Sequence, residues 1–237
     1  TGRLELEVGD IAQARVLLER SLALIPDQPE VHRQLVSVHA CRGDHARVIF
    51  HHHRCGEQSA EIGKFAHEVG RAYHGLGHMA KSREWLERGL AADEGSTPLL
   101  KALMEVELAA RNFEPALTIG RRLTALAPAD AEARRTVGLI LARRGSHLEA
   151  EPHLRAVLEV VPQDAEVREA LALASFGQGR FQEVVELYPE PVAGASLTPS
   201  AQLLVASAHF RLGAHQAARS VLERLVDSHA SLPEAHP

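Results

Sequence analysis

The sequence is short of the residues that announce most kinds of chemistry. Two cysteines in 237 residues, Cys41 and Cys55, are too few to build a fold on disulfides. There is no surplus of positive charge: 26 basic against 31 acidic residues leave a net −5, so nonspecific attraction to nucleic-acid phosphates is not expected. No apolar run approaches the roughly 18 residues of a membrane span. Phosphate-cradling glycine loops, nucleophile elbows and His-Glu-x-x-His are all missing, and Phe176-Gly177-Gln178-Gly179 lacks the Lys-Ser/Thr that would follow in a phosphate loop. Glu183 with Glu186, and Glu149 with Glu151, read as solvated helix charges, so no catalytic role and no cofactor is expected. Aromatic residues amount to 4%, leaving Ala and Leu to dominate a composition suited to close helix packing.

What is present is a ladder. Gly9, Gly43, Gly77, Gly145, Gly179 and Gly213 share a step of 34 residues, broken only by Arg111. A fixed step of this size means a repeat array, which grows by stacking units and not by enlarging one core. With the ladder glycine as position 15, the repeats span 1–28, 29–62, 63–96, 97–130, 131–164, 165–198 and 199–232, and 233–237 begins an eighth. Each repeat reads as two helices. In the fifth, Val137, Gly138 and Leu141 and then Ala150, Leu154, Val157 and Leu158 recur at helical spacing. The glycine is expected to end the first helix in the left-handed conformation, and Pro26, Pro128 and Pro162 to close the second. Small residues at position 8 (Gly2, Gly70, Gly138, Ala172, Ala206) and position 20 (Ala14, Ser82, Ala116, Ala150, Ala218) let the two backbones approach.

These residues resemble the tetratricopeptide repeat, a 34-residue helix-turn-helix unit, over essentially the whole chain. The resemblance implies an all-α fold, a right-handed α-solenoid of about seven antiparallel helix pairs. Departures from the family pattern alternate between repeats at position 24 but not at position 11. Position 24 is Leu18, Leu86, Leu154 and Leu222 in odd repeats but His52, Gly120 and Tyr188 in even ones. Position 11, where the family favours a large apolar side chain, fits only at Tyr73 and Leu141, against Glu5, His39, Glu107, Ser175 and His209. Degeneration of individual repeats explains this, with a 68-residue double repeat as the alternative. Repeat four, with Glu107, Arg111 and Gly120, is expected to distort the stacking first. Prolines between Tyr188 and Pro199 should shorten the second helix of repeat six and would give a hinge there.

The first residues, Thr1 and Gly2, fall at positions 7 and 8, and Pro233-Glu234-Ala235-His236 echoes Pro29-Glu30-Val31-His32. We therefore expect a segment of a longer protein, and the missing initiator Met and leader say nothing of compartment. Arg outnumbers Lys 23 to 3 alongside abundant Ala, as in GC-rich bacterial genomes.

The resemblance also implies a function, a scaffold that binds a peptide or partner protein on a concave face formed by positions 2, 5, 9, 12 and 13 of the first helices. Those positions supply Arg33, Lys64, His67, Arg71, His74, Lys101, Arg135 and Arg143, against Glu30, Glu105 and Glu132, and then apolar Leu139, Leu173, Phe176, Leu203 and Phe210. The partner would be acidic at one end with apolar anchors at the other. Positions 6 and 9 of the full repeats hold no Asn, so neither the chaperone-tail clamp nor the asparagine ladder of the O-linked sugar transferases is supported. Two rival readings are a targeting segment of a larger glycosyltransferase, sulfotransferase or phosphatase, and a module that associates with itself.

Fifteen histidines include the run His51-His52-His53 in the second helix of repeat two. Mirroring positions across the turn puts His32 opposite Cys55, with His52 on the same face, as soft metal ligands. The set lacks a fourth ligand and any standard spacing, so packed histidines are the expectation and metal binding is not. The same mirroring separates Cys41 from Cys55 by about 13 Å along the helix, too far for a disulfide.

Overall fold

The computed structural model describes residues 11–55, 62–189 and 197–230, with the side chains of 62–64 and 228–230 excluded. The described residues hold thirteen helices and no strand: α1 Ile11–Leu24, α2 Pro29–Cys41, α3 His45–Arg54, α4 Ile62–Gly75, α5 Met79–Ala92, α6 Thr97–Ala109, α7 Phe113–Leu126, α8 Ala131–Arg143, α9 His147–Val160, α10 Ala165–Gly177, α11 Phe181–Glu186, α12 Pro199–Arg211 and α13 His215–Ala230. Helix pairs of one repeat pack antiparallel, and within each of two compact units every second helix packs on the first helix that follows it, the all-α solenoid arrangement. The chain divides into two compact units, Thr1–Ala127 and Pro128–Pro237.

The second helices begin at Ile11, His45, Met79, Phe113, His147, Phe181 and His215, each 34 residues after the last. The turn between the paired helices explains this regularity. Gly43, Gly77, Gly145, Gly179 and Gly213 have φ between 70° and 78°, the left-handed region that a Cβ disfavours. Beyond each glycine the amide of position 16 donates back to the carbonyl of position 11, from Asp44, His78, Asn112, Ser146, Arg180 and Ala214 to His39, Tyr73, Glu107, Leu141, Ser175 and His209, at 2.8 to 3.0 Å.

Arg111 takes the same conformation, with φ at 59°, without being a glycine. The turn of repeat four itself is regular: α6 and α7 begin in register and the turn bond is made. The hydrogen-bonded turn holds Arg111 in place against its Cβ strain.

In the N-terminal unit the small residues at positions 8 and 20 act as read from the sequence. A Cβ on Gly70 would lie 2.6 Å from Leu86 Cδ2, and Ser82 Oγ donates to the Gly70 carbonyl at 2.7 Å. Leu18, Leu35 and Val38 form one cluster, and Val36, Val48, Cys55, Phe65, Val69, Ala72 and Tyr73 another. In the C-terminal unit a Cβ on Gly138 would lie 2.7 Å from Leu154 Cδ2. There Ala172, Val184, Tyr188, Ala201, Val205, Ala206, Ala208 and Val221 form the core around α11 and α12. Each such leucine or valine contributes about 1.5–3 kcal/mol of burial.

α11 has six residues where α9 has fourteen, the expected shortening of repeat six. The stretch 190–196 lies outside the described residues, as do Thr1, Gly2, Glu5, Gly9 and the start of an eighth repeat. Both cysteines are free, Cys41 exposed and Cys55 buried. No helix among the described residues is long and apolar enough to cross a membrane.

Candidate functional site

In the N-terminal unit, neighbouring first helices α4 and α6 frame a cleft of about 270 Å³, lined by His67, Arg71, Thr97, Pro98, Lys101, Ala102 and Glu105. Helical periodicity builds it. His67 and Arg71 stand one turn apart on α4, Lys101 and Glu105 one turn apart on α6, and small Ala102 leaves room between the rows. Thr97 and Pro98 open α6, so the positive end of that helix joins Arg71 and Lys101 in setting the sign of the cleft. Among the described residues of the lining, Glu105 is the only carboxylate. Arg71 is exposed, while His67, His74 and Lys101 are half-buried. The Lys64 side chain lies outside the described residues. Arg33 on α2 is turned along its own helix to Glu30, at 2.6 Å.

The C-terminal unit treats its basic residues differently. Arg135 on α8 donates through Nε to Asp164 Oδ2 at 2.7 Å and through Nη2 to Glu166 Oε2 at 2.5 Å, and Arg143 reaches Glu166 Oε1 at 2.9 Å. Asp164 is itself the cap of α10, accepting from the Val167 amide at 3.1 Å. Burial pulls the Asp164 carboxyl upward, but the bonds from Arg135 and Val167 outweigh it and hold the group below its ordinary value. Arg135 and Arg143 thus fasten one repeat to the next while their side chains remain partly exposed. Leu139 is buried and belongs to the packing. Phe176 is half-buried, edge-on to Phe181 at 5.1 Å. Leu173, Leu203 and Phe210 are exposed apolar side chains on α10 and α12.

The proposed metal set does not assemble. His32 Nδ1 meets His51 Nδ1 at 2.8 Å, His52 lies edge-on to Trp85 at 4.7 Å, and Cys55 Sγ donates to the His51 carbonyl at 3.1 Å. Among the described residues no group of three His, Cys, Asp or Glu side chains has the geometry to hold a metal ion. The mirror placed His32 against Cys55, one helical turn from its real neighbour, because paired helices cross at an angle and are not collinear.

Sequence reasoning missed what fills position 11. His39, Glu107 and Ser175 are all buried there, beside Tyr73 and Leu141. Glu107 is met by Arg83 of the preceding repeat, Nε to Oε1 at 2.5 Å and Nη2 to Oε2 at 2.9 Å, and by Asn112 Nδ2 at 2.8 Å. A carboxylate at a ladder position that must be buried was itself the signal to look for a cation one repeat away.

Residues 147–189 and 185–233 match the tetratricopeptide repeat family. Over 250 aligned residues the chain is 24% identical to the superkiller complex protein 3 of Mus musculus, covering 99% of this chain and 16% of that protein, so it spans less than a fifth of its relative. Among solved structures it is similar to MamA from Desulfovibrio magneticus, at 18% identity and a TM-score of 0.58 over 73% of this chain and 98% of that one. It is also similar to MamA of strain AMB-1, at 22% identity and a TM-score of 0.64 over 71% of this chain and 94% of that one. At these identities the structural likeness establishes the fold.

Proposed function

We propose that this chain is a protein-interaction module of the tetratricopeptide-repeat kind and takes its partner on the exposed faces of its first helices, a reading supported by the family match and the shared fold. The observation that carries this reading is the basic cleft between α4 and α6, where Arg71, His67 and Lys101 gather around a helix N-terminus and Glu105 is the one carboxylate among the described lining residues. Such a lining favours an acidic segment of the partner. Exposed Leu173, Leu203 and Phe210 on the first helices of the C-terminal unit favour apolar side chains elsewhere in it. Packed helices hold both surfaces in place, so a flexible partner bears most of the ordering cost.

Crosslinking and mass spectrometry of the protein in its own cell would identify the partner, and binding would then be measured with two double variants. Arg71→Glu with Lys101→Glu should weaken it at least tenfold while far-UV circular dichroism stays unchanged. Leu203→Asp with Phe210→Asp should weaken it independently. Undiminished binding by both, or crosslinks confined to second helices, would refute the first-helix assignment.

A further inference from the structure

We propose that the helix pair α2–α3 is an acid-triggered latch, three histidine rings buried together between its helices forcing it open as the solution falls below neutral pH. His32, His39 and His51 are 6%, 0% and 7% exposed. His39 stacks on His51 with ring centroids 5.2 Å apart and planes 7° from parallel, and His32 lies against the same ring at 5.1 Å.

The hydrogen bonding fixes which protons the cluster tolerates. His32 Nε2 faces the Pro26 carbonyl at 3.3 Å, so that nitrogen carries the hydrogen and donates. His32 Nδ1 is then the acceptor and His51 Nδ1 the donor of the 2.8 Å bond between them. A proton added to His32 Nδ1 would set two donors against each other. Neither ring nitrogen of His39 has a hydrogen-bond partner, and a proton there would create a buried cation whose nearest carboxylate oxygen, Asp44 Oδ2, is 3.7 Å away.

The side chains charged at neutral pH around the cluster are two of each sign. α1 contributes Arg15 and Glu19, and α3 with its cap contributes Arg47 and Asp44. Glu19 is already taken by Arg47 at 3.0 Å, and Arg47 lies 3.5 Å from Asp44. α4, on the other side, turns Phe65, Val69, Ala72 and Tyr73 to the pair. Burial, then the neighbouring rings and Arg47, holds His51 down at about 4, and burial above all lowers His39. In the open chain a histidine binds its proton near 6.5, so between pH 6.5 and 4 protons accumulate on the open form and favour it.

The test uses the full chain and hydrogen exchange, with the amide rates corrected for intrinsic pH dependence. Between pH 8 and pH 5 the opening constant of α2–α3 should rise about 30-fold from His51 alone, while α8–α9 changes little. His39→Phe keeps the stacked ring and removes one titrating group, so it should fold and respond less steeply. His51→Phe should respond least. Should His51→Phe fail to fold, imidazole NMR of the unaltered chain decides the matter. A His51 ring titrating near 6.5, or an acid response in α2–α3 as steep in His39→Phe as in the parent or no greater than in α8–α9, would overturn the proposal.

Discussion

Repeats two and four bury a polar side chain at the same place, and the two solutions differ in kind. Glu107 in repeat four keeps its charge: Arg83 forks onto both carboxylate oxygens and Asn112 adds a third bond. His39 in repeat two makes no hydrogen bond from its ring and lies flat on another imidazole. The bond from Arg83 and that from Asn112 hold Glu107 below the usual carboxylate range despite its burial, whereas burial lowers His39 toward neutrality. One fold position thus accepts either a compensated ion or an uncharged ring. A third state, a lone ion, is the costly one.

The comparison breaks most sharply if repeat four is forced into that third state. Arg83→Leu should destabilise the chain by about 3 kcal/mol in urea unfolding, whereas Arg83→Leu with Glu107→Leu should recover most of the loss. If the single and double variants are equally unstable, Arg83 acts by packing and not by charge. Next in size is Asn112→Ala, which removes one charge-assisted bond and should cost about 1.5 kcal/mol.

Acid separates the two repeats by range. Both groups have lowered values in the folded state, so both stabilise at high pH and lose that contribution as protons bind the unfolded chain. For His39 and His51 the loss begins near their ordinary value of 6.5, and for His51 it is complete by about 4. For Glu107 it begins only near 4.5. Melting temperature followed from pH 8 to pH 3 should fall in two steps, and His39→Phe should shrink the first alone. The smallest effect is expected at Arg111→Gly, which relieves the strained turn of repeat four and should stabilise by about 0.5 kcal/mol, since glycine's added chain entropy offsets part of the gain.

Much of this architecture was legible because it depends on short sequence distances. A glycine that must be left-handed, small residues at positions 8 and 20, and prolines between helices act within one repeat, and a 34-residue step carries them along. Partnerships were not legible, since they join side chains about a repeat apart. Arg83 with Glu107 and Arg135 with Asp164 are separated by 24 and 29 residues. Where a basic side chain of the first helices is placed depends on such distant groups: Arg135, at position 5 of repeat five, bonds Asp164 and Glu166, while Lys101, at position 5 of repeat four, lines the cleft between α4 and α6. The histidine pairing failed for another reason. A mirror across the turn ignores helix crossing, and one turn of error replaced His51 with Cys55.

The six-residue α11 gives the C-terminal unit an uneven mechanical profile. In a stack where each repeat touches only its neighbours, tension is borne in series and the shortest interface yields first. Pulled from its ends, that unit should part at repeat six, with α12 and α13 coming away together as one helical hairpin. Under load the shortened helix would act as a fuse, limiting the force that reaches the rest of the unit.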